Sequence, residues 1–252
     1  MPLHNLADTP LAGATDLLRN QLLAALNAED AARWHPLLER VELTGGQVLS
    51  ESGIAPSHVY FPTTAIVSLL YTTAEGECTE TGVVGCDGLV GISVFMGGNG
   101  SLNQAVVQSP GEAWRLPART VRDECGRSRA VLQMMLGYTQ AMLGQVARTA
   151  ACYRYHSIDQ LLCRRLLLGL DRSPGTHLFM TQESAANLLG VRREGVTGAA
   201  LKLQEAGVIN YRRGRISVLD RPQLEAGTRC LPHRGRALKQ FSATRAVAAA
   251  LA

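Results

Sequence analysis

Charged side chains cluster at one predicted helix start, where Arg192, Arg193 and Glu194 follow one another. An arginine guanidinium can donate two parallel hydrogen bonds to guanine O6 and N7, and a glutamate carboxylate can accept one from the cytosine amino group. An Arg-Arg-Glu run at a helix start also occurs as a plain solvated cap. Which of the two applies depends on the elements that hold these residues.

Two short helices joined by a glycine turn are predicted around this run. Thr181 is placed as a helix N-cap, the first helix ends at Gly190, and the second begins at Arg192. Ala186 is small enough to let the two helices cross closely, and Val196 fills their shared core. This spacing is typical of a helix-turn-helix, whose second helix enters the major groove of DNA.

The predicted second helix divides into an apolar side and a polar side at about 100° per residue. On the polar side, Arg193 and Glu194 are expected to read bases. Other polar side chains are expected to contact phosphates, which position a protein without specifying a sequence. The phosphate candidates are Arg192, Lys202 and Thr181 or Gln182, and Thr197 completes the candidate set.

A cationic β-hairpin is predicted directly after the second helix. Alternating apolar and polar residues flank a tip that reads Arg212-Arg213-Gly214-Arg215. A helix-turn-helix followed by a basic hairpin is a winged helix, whose tip lies over the phosphate backbone. Arg212, Arg213 and Arg215 are therefore further candidate DNA contacts.

The charge of the 252-residue chain is unevenly placed. Residues 1–150 carry 9 Arg against 14 Asp and Glu, whereas residues 151–252 carry 16 Lys and Arg against 7 Asp and Glu. The net charges are −5 and +9, within a total of +4. A basic C-terminal part on an acidic N-terminal part favours a polyanionic partner for the former.

Composition excludes several other classes of protein. With 46% hydrophobic and 18% charged residues, the chain is not disordered throughout. Its apolar runs are far shorter than the roughly 18–20 residues that cross a bilayer, and its start lacks the pattern of a secretion signal. A cytoplasmic location without a membrane partner is therefore expected. The six cysteines have no Cys-x-x-Cys spacing, so reduced thiols rather than a disulfide framework are expected.

The remaining chain divides into a leucine-rich lead-in, a β-region and a helical region. The lead-in, residues 1–35, carries a helical stripe of leucines. Over 40–116, short apolar runs separated by glycines indicate an antiparallel sandwich or barrel. Within it, Thr73–Glu77 is typical of a hairpin tip with Gly76 supplying a positive φ.

From Pro117 a long helical pattern begins, and a further helix is predicted from about Ser157 to Leu170. The long helix has a heptad-like spacing that favours two helices lying side by side. An amphipathic helix packed on its own domain has the same pattern, so that alternative stays open. The predicted seam is Leu132, Met135, Thr139, Met142, Val146 and Thr149.

The chain resembles the Crp/Fnr family of transcription regulators from about residue 20 to residue 220. The resemblance rests on the long helix and on the following segments: Gly46-Gln47-Val48-Leu49…Gly53, Glu75-Gly76, Gly85…Gly91 and Thr181–Val196. It implies an α+β fold with an N-terminal antiparallel, jelly-roll-like β-roll of the cyclic-nucleotide-binding type, a long dimerisation helix and a C-terminal winged helix-turn-helix. It also implies a homodimer that binds palindromic double-stranded DNA, with Arg193 and Glu194 reading bases, and leaves RNA polymerase open as a partner.

On this basis the expected parts are a sensor β-domain with its lead-in (1–116), a dimerisation helix and hinge (117–155), a winged helix-turn-helix (156–226) and a tail without an assigned role (227–252). No cofactor is assigned, and the effector is unknown. A constitutive regulator, or one controlled by a protein partner, with a β-roll that binds no ligand is the alternative.

The chain departs from relatives that bind known effectors. Where members that bind cyclic AMP carry a glutamate after a glycine and then an Arg-Ser pair, this chain has Ile92 and Leu102-Asn103-Gln104. Cyclic AMP binding by that mode is therefore not expected. An iron–sulfur cluster would need clustered N-terminal cysteines, but the first cysteine is Cys78, and for haem His58 and His156 are weak axial candidates.

An enzyme is the second class of function considered. A cupin-like metal site needs a His-x-His pair, but His58 is the only histidine between residues 40 and 116. No Ser/His/Asp set or carboxylate pair stands out either. We therefore expect no enzymatic activity.

Overall fold

The computed structural model describes residues 16–98, 100–173 and 175–228. The helices are α1 Gln21–Ala24, α2 Ala28–Trp34, α3 Ala118–Arg127, α4 Arg129–Tyr155, α5 Ile158–Leu170, α6 Gln182–Leu189, α7 Arg193–Glu205 and α8 Arg221–Ala226. The strands are β1 Glu39–Leu43, β2 Val48–Ser50, β3 His58–Pro62, β4 Ile66–Thr72, β5 Cys78–Val84, β6 Gln104–Ser109, β7 Gly111–Pro117, β8 His177–Phe179, β9 Ile209–Arg212 and β10 Arg215–Val218. Single turns of 3₁₀ helix occupy His35–Leu37 and Ile92–Val94.

Two antiparallel sheets form the N-terminal part. In one, β7 pairs with β1 and β3, and the other has the strand order β2-β6-β4-β5. Between them lies a core in which Trp34, Phe61 and Val67 are fully buried. The rings of Trp34 and Phe61 meet edge to face with centroids 5.9 Å apart. The expected antiparallel β-domain is confirmed.

The lead-in closes one side of this core. The leucines of the predicted helical stripe that lie within the described residues and are buried are Leu17, Leu22, Leu23 and Leu26. Asn20 caps α1, and its Nδ2 donates hydrogen bonds to the carbonyl oxygens of Pro62 and Gly88. The lead-in therefore forms short helices anchored to the β-domain, and its residues 1–15 lie outside the described part of the chain.

The β4–β5 hairpin turns where the sequence predicts. The amide of Thr73 donates to the carbonyl of Glu77 at 2.8 Å, and Gly76 has a φ of +87°. Residues with a side chain rarely adopt this backbone conformation, which explains why a glycine occupies the position. The tip projects beyond the sheet and carries exposed Glu75 and Glu77.

The helical pattern predicted from Pro117 is interrupted, so that it forms two helices rather than one. At Ser128 the backbone is extended, and the Ser128 hydroxyl oxygen accepts a hydrogen bond from the amide of Val131 as the N-cap of α4. Because serine satisfies a free amide at a helix start, it ends α3 and begins the 27-residue α4.

The predicted dimer seam on α4 is wrong at four of its six positions, because these side chains are already buried within the single chain. They are Met135, Thr139, Met142 and Thr149. A neighbouring face of the helix is exposed instead, with Leu136 at 47%, Leu143 at 58% and Val146 at 39% exposure. Because α4 is apolar on two adjacent faces, its sequence spacing did not distinguish the covered face from the free one.

The C-terminal part joins four helices, α5 to α8, to a small sheet. Ser157 and Gln160 form a capping box at the start of α5, which confirms the predicted helix. The sheet has the order β8-β10-β9 and is antiparallel. Its fully or nearly fully buried core includes Leu162, Leu166, Leu167, Val196, Ile216 and Leu224.

The β-domain contributes to that C-terminal core. Ile66 of β4 and Val83 of β5 are buried in the same apolar cluster as the leucines of α5. A second contact is made by Gln108 and Ser109 of β6, whose side chains donate to the carbonyl oxygen of Phe179 at 3.3 and 3.5 Å. The two parts therefore share apolar surface as well as hydrogen bonds.

Over the described residues, no helix is both long and apolar enough to cross a membrane. Five cysteines in this part of the chain form no disulfide, namely Cys78, Cys86, Cys125, Cys152 and Cys163. Cys230 and the expected tail from residue 229 onward lie outside the described residues.

Candidate nucleic-acid interface

The helix pair α6–α7 begins and turns at the predicted residues. Thr181 Oγ1 accepts a hydrogen bond from the amide of Ser184 at 3.0 Å, and the Ser184 hydroxyl oxygen accepts one from the amide of Thr181 at 3.0 Å. Gly190 ends α6 with a φ of +62°. A residue with a Cβ would be strained there, so glycine permits the tight reversal into α7.

Small residues let α7 lie close to its neighbours. Ala186 and Val196 are buried between α6 and α7, as the sequence predicts. At Gly195, a Cβ would lie 2.6 Å from Cδ1 of Ile158, so α7 also lies tightly on the start of α5. This packing fixes α7 from one side and leaves its opposite side exposed.

The exposed start of α7 carries the predicted base-reading residues. Arg192 is the N-cap residue but makes no side-chain capping hydrogen bond, and Arg193 and Glu194 are the first two helical residues. All three side chains are exposed. Their charged groups are free to meet a ligand at the end of the helix where the backbone dipole is positive.

Hydrogen bonds tie the start of α6 to α7 and to the hairpin that follows. Thr197 Oγ1 of α7 lies 2.8 Å from Oε1 of Gln182, to which it donates. The amide of Met180 donates to the carbonyl of Gly214 at 2.8 Å, and a Cβ at Gly214 would lie 3.3 Å from Cγ2 of Thr181. The structure therefore brings the helix starts and the hairpin tip onto one continuous surface.

The hairpin itself is a two-residue turn between paired strands. Arg212 pairs with Arg215, and Arg213 and Gly214 between them have φ values of +49° and +77°. Two positive φ angles are typical of a type I′ turn, and the non-glycine residue costs about 1–2 kcal/mol there. The arginine side chains Arg212, Arg213 and Arg215 are exposed.

Phe179 and Tyr211 make contacts that stabilise the hairpin. The Arg215 guanidinium lies 5.9 Å from the ring centroid of Phe179 on the neighbouring strand. The Tyr211 hydroxyl donates to the carbonyl of Met180 at 2.7 Å. Burial raises the pKa of Tyr211 to about 12, so the hydroxyl keeps its proton and remains a donor.

Comparison with known proteins agrees with this geometry. Residues 161–226 match the family described as the Crp-like helix-turn-helix domain. This segment resembles a Crp-like helix-turn-helix domain. The match spans most of α5 together with α6, α7, the hairpin and α8. No curated protein matches the sequence.

Solved structures extend the similarity beyond the Crp-like domain. FixK2 from Bradyrhizobium japonicum superposes with a TM-score of 0.64 at 14% identity, covering 77% of this chain and 99% of its own. The Crp/Fnr-family transcriptional regulator TTHA1359 from Thermus thermophilus gives 0.61 at 20% identity, covering 77% and 100%. The c-di-GMP responsive global regulator CLP from Xanthomonas campestris gives 0.59 at 17% identity, also covering 77% and 100%.

The chain therefore has the fold of the Crp/Fnr transcription regulators, and the resemblance drawn from its sequence is confirmed. It consists of an antiparallel β-domain, a long helix and a winged helix-turn-helix.

Lys202, a predicted phosphate contact on α7, forms an ion pair within the chain. Its Nζ lies 2.9 Å from Oδ2 of Asp159, with the two side chains 69% and 45% exposed. Sequence reasoning missed Asp159, because no local signal links residues 43 positions apart. An exposed ion pair contributes little stability, so Lys202 can exchange its partner at small cost.

Proposed function

We propose that the protein is a sequence-specific transcription regulator that binds a palindromic operator as a homodimer. This function is supported above all by the exposed Arg193 and Glu194 at the start of α7, on the same surface as the hairpin arginines. Arg193 reads guanine and Glu194 reads cytosine in the major groove. No catalytic step is part of this function.

The remaining exposed residues position the protein on the DNA backbone. Arg192, Thr181 and Gln182 contact phosphates at the helix starts, with Thr197 bonded to Gln182. Lys202 joins them by exchanging Asp159 for a phosphate. The hairpin lies over the adjacent phosphates and contacts them with Arg212, Arg213 and Arg215.

The exposed face of α4 forms the homodimer contact. Leu136 and Leu143 are seven residues apart, and Val146 follows three residues later, which is a heptad spacing. These side chains are 39–58% exposed in the single chain, and a second copy of α4 would cover them. Two α7 helices then face the same side of DNA about one helical turn apart.

The β-domain is proposed as the sensor of an unidentified effector. The proposed parts of the chain are this sensor domain with its lead-in (1–116), a dimerisation helix and hinge (117–155), a winged helix-turn-helix (156–226) and a tail without an assigned role (227–252). CLP, which has a similar fold, is described as c-di-GMP responsive. We propose a cytoplasmic location, with RNA polymerase as a further partner at the promoter.

A β-domain that binds no ligand is the second candidate, and the packing of α4 favours it. Gln145 of α4 donates to the carbonyl of Val83 at 3.1 Å, and the Tyr138 hydroxyl donates to that of Leu89 at 3.0 Å. A Cβ at Gly88 would lie 2.3 Å from the Tyr138 hydroxyl. Side chains of α4 thus occupy space between the helix and the β-domain. DNA binding would then be constitutive or controlled by a protein partner.

The test of operator binding is selection from a pool of random duplexes, followed by fluorescence anisotropy on the enriched sequence. We expect a two-fold palindrome with half-sites about 34–36 Å apart. Arg193→Ala should lose about 1–3 kcal/mol of discrimination at one base pair in each half-site. Arg122→Ala, at an exposed position on α3, serves as the control. Enrichment of no palindrome would refute the proposal.

The two candidates for the β-domain are separated by thermal-shift screening with nucleotides, haem and small metabolites. A ligand that binds the folded protein at 100 times its Kd stabilises it by about 2.7 kcal/mol. Such a shift, together with altered operator affinity, would support the sensor. Operator binding that no compound alters would support the candidate without a ligand.

A further inference from the structure

The hydroxyl of Thr197 joins α7 to the start of α6. Its Oγ1 lies 2.8 Å from Oε1 of Gln182, the first residue of α6, in a half-buried contact. The same hydroxyl oxygen lies 3.0 Å from the carbonyl oxygen of Arg193, one turn earlier in α7. Two acceptors therefore compete for the single proton of one hydroxyl.

The hydroxyl proton belongs to the contact with Gln182. An amide oxygen can only accept, so two oxygens 2.8 Å apart need the threonine proton between them. The carbonyl of Arg193 has another donor, because in an α-helix it accepts from the amide four residues later, which is that of Thr197 itself. Thr197 therefore holds the Gln182 amide with Oε1 turned toward α7.

Holding Oε1 in place determines which group Gln182 presents to a ligand. Among the described residues, Nε2 of Gln182 has no hydrogen-bond partner and is not buried, so it is open to solvent. Its N–H groups can donate but cannot accept. Donors without an acceptor suit a phosphate oxygen, whereas bidentate recognition of adenine also needs the Oε1 that Thr197 occupies.

We propose that Thr197 is a positioning residue, which makes no contact with DNA itself but holds the Gln182 amide with its N–H groups ready for the phosphate backbone. This inference rests on the proposed function. Without the hydroxyl, the Gln182 side chain would turn freely and would have to be ordered each time the protein bound DNA. Thr197 therefore contributes to affinity and not to the choice of bases.

A double-mutant cycle in the full-length protein tests this role on the selected operator. Thr197→Val keeps the β-branched shape but removes the hydroxyl, and it should weaken binding about fivefold, the factor that one ordinary hydrogen bond represents. In the background of Gln182→Ala, the same change should cost nothing further. Thr197→Ser keeps the hydroxyl and should bind as the wild type does. Thr120→Val, at a half-buried position on α3, is the matched control and should change nothing.

Sequence preference and salt dependence separate positioning from a disturbed fold. Thr197→Val should weaken binding to the operator and to an unrelated duplex by the same factor, because phosphates carry no sequence information. The slope of log affinity against log salt should stay as in the wild type, because a neutral amide releases no counterion. A shallower slope would mean that the arginines of the surface had moved, and it would overturn the positioning role.

The cycle itself has three results that contradict the proposal. Unchanged operator affinity in Thr197→Val would show that the hydroxyl has no role in binding. A loss that persists in the Gln182→Ala background would show that Thr197 acts without Gln182. Binding by Thr197→Ser as weak as that of Thr197→Val would show that the hydroxyl is not the group that matters.

Failure of this inference is distinguishable from failure of the proposed function. Wild-type binding to the operator together with any of these three results would overturn the positioning role alone. Absence of binding to any duplex by the wild type would overturn the proposed function and the positioning role together.

Discussion

Arg213 at the hairpin tip allows the number of phosphate contacts to be measured with little disturbance of the fold. Its φ of +49° lies in the left-handed region, which asparagine tolerates better than most residues, so Arg213→Asn removes the charge and keeps the turn. In a homodimer the substitution removes two phosphate contacts. Each contact contributes about 0.9 to the slope of log affinity against log salt, so the slope should become shallower by about 1.8.

This change in slope is large enough to measure by fluorescence anisotropy on the operator. Between about 50 and 200 mM salt, the wild type should lose about 12-fold more affinity than Arg213→Asn. Arg122→Gln on α3 removes the same charge from an exposed position outside the proposed interface and should keep the wild-type slope. If Arg213→Asn also kept the wild-type slope, the hairpin would not lie on the phosphate backbone.

Three further substitutions address assembly and stability. Leu143→Glu should yield monomers in analytical ultracentrifugation, whereas Gln133→Glu, also exposed on α4, should leave dimers; dimers in both would refute the proposed contact. Arg165→Met should lower the free energy of unfolding in urea by about 3–5 kcal/mol, because it leaves the Glu80 carboxylate buried and unpaired. Adding Glu80→Gln removes that charge and should restore part of the lost stability. If the double variant recovered nothing, the two side chains would not be coupled. Gly190→Ala should cost about 1–2 kcal/mol in thermal unfolding because of its positive φ, and an unchanged midpoint would contradict that strain.

The helix-turn-helix could be predicted because its signals are local. Thr181 satisfies a free amide within its own first turn, and Gly190 supplies a backbone conformation that few other residues adopt. The hairpin tip at Gly76 follows the same rule. Such features depend on neighbours within about four residues, so they are readable from a sequence alone.

The face of α4 that meets the β-domain could not be predicted in this way. Met135 and Leu136 are adjacent and both apolar, yet the first is fully buried and the second is 47% exposed. Which of the two is covered depends on strands that are distant in sequence, such as β5, whose Val83 carbonyl accepts from Gln145. Helical periodicity reports that a face is apolar but not what covers it.

The contacts between the two parts of the chain are likewise invisible to local reasoning. Glu80 and Arg165 are 85 positions apart, and each reads as an ordinary surface charge in its own segment. The three-residue β8 was also missed, because His177–Phe179 is too short to show an alternating pattern. Both features arise only after the chain has folded.

The apolar surface shared by Ile66, Val83 and the leucines of α5 bears on how the protein can be dissected. A fragment that starts at Ser157 would keep every proposed DNA-contacting side chain. It would expose the apolar patch on α5 that Ile66 and Val83 cover in the full chain. We expect such a fragment to self-associate and precipitate unless the patch is made polar, and its affinity for DNA would then describe a domain freed from its neighbour rather than the regulator as a whole.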